Sequence, residues 1–158
     1  MAKLLLPYGY FELKPIARQP AQSKYLEIYF CIEINLQSQR LLIENKRKIY
    51  MIEDDFLRFS DGTRSFIKNC AKKPDFDISS KPFDFTPMEL SFIFSCIDGD
   101  IDAEMREGEI TIRILGDVSE LTQTSLPTAY IGGLYNVKVV DLLNFLKILE
   151  GEVLDLQF

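Results

Sequence analysis

The stretch "CIDGDIDAEMREGE", residues 96–109, carries six carboxylates: Asp98, Asp100, Asp102, Glu104, Glu107 and Glu109. Side chains of this type at this density can ligate calcium, meet a cationic partner, or lie in water at the turns of a sheet. Asp98, Asp100, Asp102 and Glu109 fall at positions one, three, five and twelve of a calcium loop. That loop needs Gly at position six and a helix on each side. Here position six is Ala103, position nine is Arg106, and both flanks alternate as strands. An EF-hand is excluded, while a looser calcium turn stays open. In a strand, Asp98, Asp100, Asp102 and Glu104 would share one face, with Ile101 and Ala103 opposite. Such a row either lies in water and discourages edge aggregation or forms a recognition surface for a basic protein. A carboxylate pair for general acid–base catalysis is a third reading, although no acid here is isolated in an apolar pocket. Tyr130 and Tyr135, beside Gly132-Gly133, are candidate anchors for a partner, with ordinary sheet-face tyrosines as the plainer alternative.

The remaining composition narrows the chemistry. Histidine is absent, which removes Ser-His and Cys-His nucleophile pairs, imidazole acid–base work and histidine zinc sites. The three cysteines, Cys31, Cys70 and Cys96, are far apart and lack CxxC spacing. They read as reduced thiols filling a core, and hence as a mark of a reducing, cytoplasmic location. No cofactor or resident metal is assigned. The opening "MAKLLLPYGYFELKP" has too short an apolar run for a signal-peptide core, and no run reaches the roughly 20 residues that span a bilayer. Net charge is −6 and unevenly placed. Residues 1–98 hold fourteen Lys and Arg against thirteen Asp and Glu; residues 99–158 hold four against eleven. The acidic second part repels nucleic-acid phosphates and attracts basic proteins. A basic cluster, "RLLIENKRK", reads as the solvated end of two strands.

The elements that must position these groups follow from periodicity. "KYLEIYFCIEINL" (24–36) alternates, with Leu26, Ile28, Phe30, Ile32 and Ile34 on one face, which predicts a half-buried strand. After a turn at "QSQ", "RLLIENKRKIYMI" predicts a second strand interrupted near Asn45. In "EDDFLRFSDGTRSFIKNCAKK", Phe56, Phe59, Thr63, Phe66, Ile67 and Cys70 form a helical stripe. Asp54 or Asp55 is placed to cap that helix, Lys72 and Lys73 suit its C-terminal dipole before Pro74, and Gly62 predicts a kink. Residues 74–87 read as a loop. "MELSFIFSCI", with Leu90, Phe92, Phe94 and Cys96 on one side, "IDAEM" and "EITIRIL" predict a meander that turns at Asp98-Gly99 and at Glu107-Gly108. After a loop near Pro127, "AYIGGLYNVKV" predicts a strand with a bulge or close approach at Gly132-Gly133. "DLLNFLKILEG" predicts a helix with Leu142, Phe145, Leu146 and Leu149 inward and Gly151 at its end. "EVLDLQF" reads either as an edge strand or as an extension of that helix. The chain is one α+β domain over residues 1–158: a twisted antiparallel β-sheet of about six strands with two packed α-helices.

The stretches "IYMIEDDFLRFSDGTRSFI", "FTPMELSFIFSCIDGDIDAEM" and "YIGGLYNVKVVDLLNFLKIL" carry a resemblance. They look like the small bacterial immunity proteins that protect cells from their own contact-dependent toxins, particularly the Wap type, over roughly residues 25–150. Members usually carry an Asp- and Trp-containing opening to an early strand, whereas "SKYLEIYF" has no Trp. The resemblance implies a stoichiometric, non-enzymatic inhibitor that occludes the active site of a basic toxin domain, with no catalytic residue of its own. Asp98, Asp100, Asp102, Glu104, Glu107, Glu109, Tyr130 and Tyr135 are then the expected partner contacts, with neither nucleic acid nor membrane as partner. The alternative is a small apolar-ligand-binding domain with a cavity between a curved sheet and a helix, and a carboxylate-dependent hydrolase is a third class. Oligomeric state is not legible.

Overall fold

The computed structural model describes residues 1–20, 22–72, 81–89, 91–118 and 129–156, the side chains of 22 and 23 excepted. Nine strands in two antiparallel sheets and two helices make up the described α+β fold, so the predicted class holds while the single six-stranded sheet does not. The first sheet contains β1 (Lys3–Leu6), β2 (Gly9–Gln19), β3 (Gln22–Leu36), β4 (Gln39–Glu44) and β5 (Ile49–Ile52). The second contains β6 (Phe83–Phe85), β7 (Phe92–Ile101), β8 (Gly108–Asp117) and β9 (Tyr130–Lys138), in that spatial order. Between them in sequence comes α1 (Glu53–Ala71), and α2 (Val139–Asp155) follows β9.

Strand β3 organises the first sheet. Its predicted inward set, Leu26, Ile28, Phe30, Ile32 and Ile34, is buried throughout. One edge pairs with β2; the other pairs with β4 over Cys31–Leu36 and with β5 over Tyr25–Ile28. The predicted interruption near Asn45 separates β4 from β5, and the Asn45 side chain fills the gap. Its Oδ1 accepts the Phe30 N–H at 2.8 Å, and its Nδ2 donates to the Ile28 carbonyl at 3.3 Å and the Arg47 carbonyl at 2.9 Å. Ladder groups that would otherwise lose their partners are thereby satisfied. The β1–β2 hairpin was not foreseen. Ala2, Leu4 and Leu6 face inward, as do Phe11 and Leu13, but exposed Leu5 turns the first alternation into an apparent Leu run.

The helices follow their stripes. Phe56, Phe59, Thr63, Phe66, Ile67 and Cys70 are all buried along α1. Neither Asp54 nor Asp55 caps it: the N-cap is Ile52, with no side-chain bond. The first-turn acids act instead through the helix dipole, and Arg18 grips Glu53 with N–H donors at 2.9 and 3.2 Å. Lys72 is the C-cap, while Lys73, Pro74 and the loop residues up to 80 lie outside the described residues. The predicted loop 74–87 also contains a strand, β6. In α2, Leu142, Phe145, Leu146 and Leu149 are buried as expected. Gly151 does not end this helix, which continues to Asp155 because Val153 still has a buried place to fill. The tail thus extends the helix; Gln157 and Phe158, like Leu90 and the loop near Pro127, lie outside the described residues.

A cluster of phenylalanines joins all four layers. Phe11 and Phe30 of the first sheet meet Phe92 of β7 at ring-centroid distances of 5.7 and 5.5 Å. Phe59 of α1 stands edge-on to Phe94 at 5.0 Å and contacts Phe85 at 5.1 Å. Phe145 of α2 reaches both Phe11 and Phe59. Such tilted and edge-on pairs add about 0.5–1.5 kcal/mol each beyond burial. On the surface, Arg64 donates to both carboxylate oxygens of Glu150 and so ties α1 to α2.

Gly62 has a packing role. A Cβ there would approach the Phe83 ring to 2.2 Å, so β6 lies against the helix where the side chain is missing. Replacing a mid-helix Gly by Ala ordinarily gains about 1 kcal/mol. Gly62→Ala is expected instead to lower the urea midpoint, and to raise it in a Phe83→Ala background. A stabilising Gly62→Ala in the otherwise native chain would show that Phe83 does not impose the glycine.

Candidate functional site

Strand β7 runs straight through Asp98 and Gly99 to Ile101, so this Asp-Gly pair is not the predicted hairpin turn. It marks a register shift between Cys96 and Asp98. A Cβ at Gly99 would lie 3.2 Å from the Cys70 Sγ, where the strand passes over the end of α1. The chain reverses at residues 102–107, and the predicted strand "IDAEM" is largely this turn. Later reversal keeps Ile101 and Ile110 inward, 8% and 0% exposed. The Asp102 carboxylate accepts the N–H groups of Arg106 at 2.7 Å and Glu107 at 2.8 Å. The Asp102 N–H donates to the Glu107 carbonyl at 3.1 Å, and Met105 N–H to the Asp102 carbonyl at 3.0 Å. Met105 is left-handed at φ 57°, and Gly108 has φ 120°, a conformation that favours glycine. The backbone bonds, Glu107's above all, hold the Asp102 carboxyl below its ordinary range.

The predicted carboxylates are therefore not one strand row. Asp98 and Asp100 do share the outward face, opposite Thr111 and Glu109, and Glu109 is in turn opposite Lys138. Asp102 belongs to the turn. Glu104 is exposed there and pairs with Arg106 at 3.1 Å. Glu107 is also exposed, and a depression of about 380 Å³ at the hairpin base is lined by Arg106, Glu107, Glu109, Lys138 and Val140. Tyr130 lies opposite Asp117, six β8 residues from the Thr111 rung, about 20 Å away. Burial, then the Asp117 charge, raises the Tyr130 phenol pKa. Tyr135 points to the other side, into the core, and is 7% exposed. The structure thus brings Asp98, Asp100 and Glu109 together, sets Tyr130 at the far end, and encloses Tyr135. No bulge occurs at Gly132-Gly133: the register with β8 is continuous, and a Cβ on Gly132 would meet the Ile114 carbonyl oxygen.

Counting the outward face of β6–β9 with its hairpin, eight carboxylates stand against three basic side chains. The acids are Asp84, Asp98, Asp100, Asp102, Glu104, Glu107, Glu109 and Asp117; the bases are Arg106, Arg113 and Lys138. Arg113 reaches Asp84 and the Ser95 hydroxyl at 3.2 and 3.0 Å. Sequence reasoning overlooked Asp84, Asp117, Leu115 and Leu134 as part of this face. The alternation of "EITIRILGD" carried the signal for two of them; Asp84 needed β6.

The outward face of the first sheet differs in its charge pairing. Arg40 Nε donates to Glu33 at 2.9 Å, Lys48 Nζ to Glu27 at 2.9 Å, and the Tyr29 hydroxyl to Glu44 at 2.8 Å. The Lys3 ammonium lies 3.3 Å from the Tyr10 ring centroid. Cys31, Cys70 and Cys96 form no disulfide and are buried. Burial pushes the Cys31 thiol up, and pushes Cys96 up to about 12, so both are protonated at neutral pH and poor nucleophiles. Among the described residues no three Asp, Glu or Cys side chains could hold a metal ion. No described helix is long and apolar enough to cross a membrane. A cleft beside Asn45, Ser91 and Asp117 measures about 40 Å³, while the depression at the hairpin and a second one beside Tyr8, Asn35 and Gln39, of about 460 Å³, are open to solvent. No family model, curated protein or solved structure matches the chain.

Two outcomes follow from this geometry. Asp102 stabilises the fold through its ionised form, so its contribution is full above the unfolded carboxyl value of about 3.9 and fades as pH falls through its lower folded value. Asp102→Asn is expected to lower the urea midpoint at pH 7, with the gap to the native chain closing below about pH 4. A gap independent of pH would separate the turn from the ionised carboxylate. Separately, a disulfide thiol reagent should leave all three cysteines unmodified in the native protein and modify all three in urea. Rapid native labelling of any one would contradict its burial.

Proposed function

We propose that the chain is a non-enzymatic binding protein that meets a basic protein through the outward face of β6–β9 and its hairpin. Its role is that of an immunity-type inhibitor that occludes the active site of a basic toxin domain in the bacterial cytoplasm. The observation that carries this reading is the surplus of exposed carboxylates over cations on that face, beside a first sheet whose charges are largely paired. A one-sign surface of this kind raises the association rate of an oppositely charged protein by about ten- to a thousandfold, with strong salt dependence. Three buried cysteines outside any disulfide suit a reducing compartment. The protonated Cys31 and Cys96, together with the absence of histidine, remove two thiols and every imidazole from the groups that could serve catalysis. The apolar-ligand alternative needs space between sheet and helix. There Phe11, Phe59, Phe85, Phe94 and Phe145 stand in mutual contact, each at most 1% exposed, which speaks against it.

The test is co-production with the C-terminal domain of any large secreted protein encoded beside this chain. The chain is expected to relieve growth arrest by that domain and to bind it in equal stoichiometry. Asp98→Asn, Asp100→Asn and Glu109→Gln together should slow association about tenfold or more at low salt, with the rates converging in 0.5 M salt, where screening is strong. Arrest that the native chain leaves untouched would overturn the inhibitor reading. An unchanged low-salt rate would overturn acidic recognition.

A further inference from the structure

The outward face of β6–β9 is not only acidic. Ile93 stands opposite Leu115, and Leu115 opposite Gly132. Tyr130 and Leu134, two residues to either side of Gly132, project on the same face. Leu134 is 65% exposed. Gly132 therefore puts no side chain between Leu115, Tyr130 and Leu134 on this face, which is a dent in the side-chain layer. The close approach of the β8 backbone keeps this position a glycine, because a Cβ there would come 1.9 Å from the Ile114 carbonyl oxygen. Both helices pack on the opposite side of this sheet, through Phe59 and Leu146 among others.

Resting on the reading above, we propose that this dent receives one apolar or aromatic side chain of the basic partner and is the dry centre of the interface. Charge at the rim of an interface sets mainly the association rate, whereas lifetime depends on a desolvated apolar anchor. The border identifies the occupant. Asp117 lies beside Tyr130, Asp84 lies across Arg113, and the Asp100–Glu109–Lys138 rung lies four residues along β9 from Leu134, about 13 Å away. A second copy of this chain, at net charge −6, would bring like charges together, and an anionic lipid surface would do the same. A protein with Lys or Arg about 13 Å from a protruding apolar side chain covers the face without that penalty.

The probe is a phage-displayed library of random peptides selected on the immobilised native chain, with the enriched peptides then made synthetically and their binding kinetics measured. Enriched peptides should combine Lys or Arg with Trp, Phe or Leu. Leu134→Ser should weaken them about tenfold or more through faster dissociation. Leu154→Ser, an equally exposed leucine on α2, should leave them unchanged. Leu134 lies outside the core, and an unaltered melting temperature will show that its variant is folded. Peptides that need the carboxylates but ignore Leu134→Ser overturn the dent and leave acidic recognition standing. Peptides that need Leu134 yet lack Lys and Arg, and ignore the carboxylate variant, overturn the basic occupant and acidic recognition with it. Failure to enrich any peptide for this face overturns the dent as a hot spot.

Discussion

Two sheets and two helices share one aromatic cluster, and the geometry of that cluster decides which surfaces are left over. Phe59 contacts rings from β6, β7 and α2, while Phe11 contacts rings from β7 and α2. Each strand alternates its side chains between two faces, so a sheet that commits one face to this cluster must offer the other to solvent or a partner. Both helices lie on the inner side. Neither outward face is covered by a described helix, and their side chains are free to be selected for something other than packing.

Those two faces have been given different electrostatics. On the first sheet, Glu33 and Glu27 lie beside Arg40 and Lys48, which cancels their field within a few ångströms, Glu12 lies opposite Lys3, and Glu44 accepts the Tyr29 hydroxyl. On the second, Asp98, Asp100 and Glu109 gather near the hairpin with Lys138 as the cation across from them. Keeping exposed charges of one sign together is inexpensive: at 4 Å in water two unit charges repel by about 1 kcal/mol. Their field also reaches only about 8 Å at physiological ionic strength. An uncancelled cluster therefore does little harm to the fold and acts chiefly on what comes close, which suits recognition better than structural stabilisation.

Much of this was legible in the sequence, and the exceptions share a cause. The stripe Phe56–Cys70 and the alternation Leu26–Ile34 were read correctly because each spans several periods, so one face is specified many times over. Asp98-Gly99 was misread because local turn propensity was weighed alone. Ile101 and Ile110 have to reach the core, and that requirement moves the reversal to Asp102–Glu107 and leaves the glycine to make room for Cys70. Gly62 makes the same point, answering to the Phe83 ring, whereas the close approach expected at Gly132-Gly133 is met by the Ile114 carbonyl. β6 was hidden by its three-residue length between prolines, and with it the place of Asp84. Of the expected contact residues, Tyr130 and Tyr135 are five apart and face opposite sides of a regular strand; only a bulge at Gly132-Gly133 could have put both outward, and the register with β8 is continuous.

The hairpin also shows why six acidic residues of one stretch are not six equivalent groups. Asp102 is occupied by two backbone N–H donors, and Glu104 has Arg106 beside it. What the turn loses in available charge it gains in definition. With Asp102 fixed, Met105 left-handed and Gly108 in a conformation few residues tolerate, the ends of β7 and β8 are held in register. The side chains of Asp98, Asp100 and Glu109 then project from a ladder that has already lost its conformational freedom on folding. A partner pays little to order such a surface, whereas the same acids on a mobile loop would cost it about 0.5–1.5 kcal/mol for each side chain immobilised. One carboxylate thus shapes the turn and fixes the strand positions from which its neighbours project.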